Sequence, residues 1–136
     1  MGKYQYNYAT IYWIITMPNK TLNLNDIETF LRNFAAARDW QQFHSPKNLV
    51  MALSGEAGEL SELFQWLSED QSWLKDDTET KKKVANELAD ILQYIVRISD
   101  LLSIDLNDAL WKKLRRNEEK YPVELSKGTA KKYTEF

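Results

Sequence analysis

Turn-forming residues are scarce in this chain: four Gly and three Pro among 136 residues. A many-stranded β fold needs frequent turns, and Gly and Pro supply the backbone conformations that turns demand. Long helices with few connections are what remains. The absence of cysteine excludes a disulfide scaffold, a thiolate metal site and a cysteine nucleophile, and it fits a reducing, cytoplasmic setting. Lys+Arg number 18 against 20 Asp+Glu, a formal net charge of −2. Nucleic-acid binders usually carry a basic excess, so that class of partner is not expected. A membrane span is not expected either, since no apolar run approaches the roughly 20 residues that cross a bilayer.

The pattern reads as one all-α domain of four helices over 21–136, preceded by a variable leader or arm over 1–20. In the leader Tyr4, Tyr6 and Tyr8 alternate, and Ile11–Ile15 is a short apolar run. The run lacks a small-residue cleavage site before Met17-Pro18, which argues against a secretory signal. Met17 is a candidate start of translation. The first helix is predicted from a cap at Asn25, with Glu28 at capping-box spacing, to about Phe43. The second runs from Pro46, capped by Ser45, to about Ser68. A polar loop covers 69–77. The third helix spans about Thr78 to Leu102. A fourth starts at a cap on Asp105 or Asn107 and is ended by Pro122. The tail over 123–136 is short and basic, with Gly128 its only hinge. Four helices in so short a chain point to a helical bundle.

On a wheel at 100° per residue, Leu49, Leu53, Leu60, Leu63, Phe64 and Leu67 form one apolar face of the second helix. With Leu49 at zero, Glu56 falls at about 340°, inside that face, and Glu59 at about 280°, on its edge. On the third helix Val84, Leu88, Ile91, Ile95, Ile98 and Leu102 form the apolar face. With Val84 at zero, Glu87 falls at about 300° and Asp90 at about 240°. Each helix therefore carries an acid pair at i, i+3 aimed at or beside the core. An unpaired buried carboxylate costs several kcal/mol. Hard divalent cations relieve such a set, and Mg²⁺ takes oxygen ligands. Glu56-x-x-Glu59 and Glu87-x-x-Asp90 are thus a candidate Mg²⁺ site, with Mn²⁺ a possible substitute. Arg97 and Lys83 are expected to project away from the apolar faces. A ferritin-like di-iron centre needs two Glu-x-x-His pairs, and the chain has one His.

These acids resemble the metal motif of the MazG-like nucleotide pyrophosphohydrolases. Residues 34–66, FAAARDWQQFHSPKNLVMALSGEAGELSELFQW, resemble the dCTP pyrophosphatase branch of that family. KKLRRNEEKYP (112–122) and KGTAKKYTE (127–135) are similar to its C-terminal segments. The resemblance covers about 24–135. It implies a MazG-like all-α fold assembled as a dimer or a dimer of dimers, such as a homotetramer. It further implies Mg²⁺-dependent hydrolysis of a nucleoside triphosphate between the α and β phosphates, giving monophosphate and pyrophosphate in nucleotide-pool house-cleaning. The four acids would be both metal ligands and catalytic residues. An all-α dUTPase and a broad-specificity enzyme are neighbouring readings. A non-catalytic helical interaction module is the reading of a different class.

Substrate-binding candidates follow. Lys113, Asn117 and Lys120 are spaced i, i+4, i+7 along one face of the fourth helix. The resemblance places them, with Tyr121, by the phosphates; a solvated basic face is the plainer alternative. Lys131 and Lys132 are expected to close over substrate or join a neighbouring subunit. Trp40, His44, Trp66 and Tyr94 are candidates for the base pocket, which needs flat apolar faces and a few polar groups. Trp73 and Trp111 are read as packing residues. Leu31 stands where the resemblance leads one to expect a polar residue, which bears on base preference. Two acid-lined faces leave little apolar surface to bury within one subunit, so an oligomer is expected.

Overall fold

A computed structural model describes residues 21–136. The leader, its boundary and Met17 lie outside the described residues. Four long α-helices are present: α1 (Leu24–Ala36), α2 (Pro46–Glu62), α3 (Thr78–Leu101) and α4 (Leu106–Lys120). A single turn, α5 (Val123–Ser126), and 3₁₀ turns at Trp40–Gln42, Gln71–Trp73 and Tyr133–Glu135 complete the chain. There is no strand among the described residues, so the all-α class holds.

The start of each of the four long helices is fixed by a side chain that satisfies free backbone N–H groups. Asn23, rather than Asn25, caps α1: its side chain accepts from the N–H groups of Asn25 and Asp26. Ser45 caps α2 by accepting from Asn48 N–H, with Pro46 at the first helical position. Asp77 caps α3 and Asp105 caps α4.

Two helices stop short of their predicted ends. α1 ends at Ala36, because Asp39 takes a left-handed conformation (φ 53°) that breaks the helix before Trp40. α2 ends at Glu62, six residues before Ser68. Ser68 belongs to the next turn instead. Gln71 N–H donates to Ser68 Oγ and Ser68 N–H donates to the Gln71 side chain, a reciprocal cap. The turn after α3 is closed by Ser103 at φ 53°, with Ile104 N–H donating back to Ser99 C=O at 2.9 Å. That is a Schellman stop.

α3 is the central element, packed against α2 on one side and α1 on the other. Leu49, Ala35 and Val96 are the buried apolar residues of these three helices. α1 and α3 are also tied by charge. Arg32 donates to Glu28 within α1 and to Asp100 of α3, and Arg97 donates to the same Asp100 carboxylate. The predicted apolar face of α3 is only partly covered: Leu88 is 52% exposed, while Val96, off that face, is 1% exposed. α4 has no buried residue and makes at most marginal contact with the other long helices. The four helices of one chain therefore form a three-helix unit and an arm. No helix among the described residues is long and apolar enough to cross a membrane.

Candidate functional site

Glu56 of α2 faces Glu87 and Asp90 of α3. Each of the three offers one carboxylate oxygen, and these oxygens lie within 4.8 Å of one another. Burial pushes the Glu56 carboxyl above its ordinary range, and the nearby charges of Glu59, Asp90 and Glu87 push the same way. Like charges so gathered repel, and three hard oxygen donors are the chemistry that a divalent cation satisfies. This acidic cluster is consistent with metal binding. Glu59 is not among the three converging oxygens, but it is close enough for its charge to act on Glu56. Gln93 orients one member, donating to Asp90 Oδ1 at 2.9 Å.

A recess of about 240 Å³ opens beside the cluster. Phe30, Phe34 and Trp40 line it with His44, in a row of rings. Phe34 and Trp40 meet edge to face at 5.8 Å between centroids, and Trp40 and His44 are 6.0 Å apart. The break at Asp39 makes this possible, because it turns the chain back so that Trp40 and His44 face α3 rather than continuing the α1 helix. Leu31, Ala35, Leu49, Glu56, Asp90, Gln93, Tyr94 and Arg97 complete the wall, so Leu31, the residue tied to base preference, faces the recess. Burial, reinforced by Glu56 and Asp90, raises the Tyr94 phenol and keeps it protonated. Burial lowers the His44 imidazole and Arg97 adds to the effect, so His44 is neutral at neutral pH.

The structure thus brings Glu56, Glu87, Asp90, Trp40, His44 and Tyr94 together. It does not bring in the rest. Trp66 lies beyond the end of α2, 88% exposed, so its wheel position does not apply. Lys113, Asn117 and Lys120 are on the α4 arm, outside the recess lining. The Lys120 ammonium sits 4.6 Å from the Tyr133 ring centroid, and Tyr121 packs against Tyr133 and Phe136. Arg97 reverses expectation: it is 6% exposed and lines the recess. The signal was available, since Arg97 follows Asp90 by seven residues and so shares its face. Gln93, three after Asp90, was missed for the same reason.

The fold and the acid cluster together define a class. The MazG-like family matches residues 51–136, which contain all three clustered acids, and the chain belongs to that family. Over 117 residues, 83% of this chain and 67% of theirs, it is 44% identical to dCTP pyrophosphatase 1 of Mus musculus and 40% identical to that of Homo sapiens. A pyrophosphatase from Archaeoglobus fulgidus, 34% identical, has a similar structure, with a TM-score of 0.67 over 79% of this chain and 99% of that one.

Proposed function

We propose that this chain is a Mg²⁺-dependent nucleoside triphosphate pyrophosphohydrolase that prefers dCTP or a modified dCTP and acts in cytoplasmic nucleotide-pool house-cleaning. The observation that carries the reading is the adjacency of the Glu56–Glu87–Asp90 cluster to an aromatic recess. The 40–44% identity to dCTP pyrophosphatase 1 supports the substrate. Glu56, Glu87 and Asp90, with Glu59 beside them, would hold Mg²⁺, or Mn²⁺ in its place. The ion would supply charge neutralisation for the triphosphate and polarisation of a phosphoryl oxygen. Gln93 holds the Asp90 carboxylate in place. Trp40, braced edge to face by Phe34, offers a ring face to the base, and Tyr94 and His44 offer hydroxyl and imidazole groups.

Lys113, Asn117, Lys120 and Tyr121 do not line this recess, and apolar surface stands open on α2, α3 and α4 (Met51 64%, Leu88 52%, Trp111 61% exposed). Both facts favour a homo-oligomer, a dimer or dimer of dimers. The test is a product assay with each common dNTP, with and without Mg²⁺, resolved by anion exchange. Mg²⁺-dependent dCMP and pyrophosphate are expected. Turnover of dUTP alone moves the chain to the dUTPase reading, and no turnover of any common dNTP or of a modified dCTP such as 5-methyl-dCTP overturns the proposal. Light scattering showing a monomer at micromolar concentration would remove the oligomer.

A further inference from the structure

The recess has two chemically opposite ends. α3 contributes Asp90, Gln93, Tyr94 and Arg97, spaced i, i+3, i+4, i+7 on one face. Asp90 and Arg97 are therefore about 10 Å apart along the helix axis. Across from them α2 contributes Glu56 and Leu49, again seven residues apart. Acids gather at one end. At the other, Arg97 is the guanidinium in the lining.

Arg97 is more than nine-tenths buried. Its Nη1 donates to Asp100, the one acceptor it finds among the described residues, and its Nε is buried without a partner. The Nδ1 of His44, in the same wall, is also buried without a partner. Leaving a charged donor unmet is costly, and two unmet polar atoms in one small recess point to a ligand that meets them. Asp100 is in turn gripped by Arg32, which fixes Arg97 from behind.

Resting on the nucleotide-hydrolase reading above, we infer that Arg97 is a specificity-determining residue that holds the base by a carbonyl oxygen, O2 of a pyrimidine. The triphosphate belongs at the acid end, where metal would hold it, so the base lies toward Arg97. At about 240 Å³ the recess falls below the usual range of roughly 300–1,000 Å³ for whole small-molecule sites, so it takes the base rather than the nucleotide. The Trp40 ring offers it a flat face, with Phe34 packed against Trp40 edge to face. A guanidinium has donors only, so it accepts no exocyclic amine and must face an acceptor. Cytosine, uracil and thymine share O2, whereas adenine has no carbonyl and presents ring N3, a weaker acceptor on a larger base, beside its glycosidic bond. Arg97 therefore favours pyrimidines over adenine and leaves the choice between cytosine and uracil to other groups.

The test is Arg97→Met, assayed with dCTP, dUTP, dTTP and dATP at saturating Mg²⁺, and with Mg²⁺–pyrophosphate, which carries no base, as inhibitor. Losing a charge-assisted hydrogen bond should lower kcat/KM for the three pyrimidines about 10- to 100-fold, mainly through KM. Pyrophosphate inhibition should change less than about twofold, since pyrophosphate carries no base, and dATP, with only ring-nitrogen acceptors, should lose markedly less than the pyrimidines. An equal loss for all four nucleotides, weakened pyrophosphate inhibition, or unchanged pyrimidine kinetics would overturn the inference. Should Arg97→Met not fold, Arg97→Lys retains a donor with a shorter reach. It should give a smaller loss, again larger for pyrimidines than for dATP, and a base-independent loss refutes the idea. If the wild type hydrolyses no triphosphate, the functional reading has failed, and calorimetry with metal-free dCMP and dAMP then reads Arg97 alone. Selective weakening of dCMP in Arg97→Met supports the assignment; equal binding by both proteins overturns it.

Discussion

The three-helix unit and the α4 arm are held by different forces. In α1–α3 the buried apolar residues are few, but Arg32 and Arg97 converge on Asp100 and tie α1 to α3, and the site lies between these helices. The arm has no fully buried residue among the described residues, and its tip is organised by ring contacts among Tyr121, Tyr133 and Phe136. Acids gather in the unit, and a run of lysines and arginines lies along the arm. Attraction of the whole arm toward its own site is thus available in charge but not realised in packing. A subunit built this way has reason to lend its arm elsewhere.

The largest expected effect lies in the unit. Glu56→Gln should reduce turnover by at least about 100-fold while the protein stays folded. The Glu56 carboxyl is held above its ordinary range, so at neutral pH the folded chain carries a charge its surroundings disfavour. Replacing it should therefore raise the metal-free Tm. Normal turnover or a lower metal-free Tm would remove Glu56 from the cluster's chemistry. On the arm, Lys120→Ala and Asn117→Ala should lower kcat/KM about 10- to 100-fold with little change in Tm. A large drop in Tm would show that the arm is part of the folded core.

Paired deletions sharpen the contrast further. Leu49→Ala, in the unit, should cost about 2–4 kcal/mol by urea denaturation. Leu110→Ala, on the exposed arm, should cost well under about 1 kcal/mol in a lone chain. Equal costs would mean that a second copy covers the arm.

Acid should weaken the unit and spare the arm. Burial, then Arg97, holds His44 below the usual imidazole range. The Arg32 hydrogen bond leads in holding Asp100 below the usual carboxylate range. Both contributions are present at pH 7. The unfolded chain protonates first, so His44's share is lost as pH falls through about 6.5 and Asp100's as it falls below about 4 and on through its depressed folded value. Glu56 works oppositely, regaining stability as it protonates. Thermal melts from pH 7 to 5 check the first step, and a Tm that rises over that range would show Glu56 dominating. The smallest effect is Ser45→Ala, about 1 kcal/mol for a lost helix cap, read from the same melts.

Much of this was legible in the residues themselves. Ser45-Pro46 and the helical spacing of Val84 through Leu102 specify α2 and α3 locally, and each is built as those signals require. The wheel found the clustered acids because a carboxylate inside an apolar stripe needs a partner. The ends of α1 and α2 were not legible. Asp39 in a left-handed conformation and the reciprocal cap of Ser68 with Gln71 are settled by geometry that no periodicity carries. Arg97 was misread because an apolar wheel sorts side chains by hydropathy, and a cation buried against Asp100 violates that sorting. Trp66 was placed on a helix that had already ended.

α3 runs unbroken from Thr78 to Leu101, so Asp90 and Arg97 are joined by continuous backbone hydrogen bonding. Their separation is a fixed gauge, without a hinge between its marks. Ligands of different length cannot be accommodated by stretching it. Whatever adapts must be the opposite wall, where the chain between α1 and α2 makes its left-handed turn at Asp39. Point changes near Arg97 can therefore retune what is recognised without disturbing the acids, whereas inserting one residue between them would swing Arg97 about 100° out of the recess.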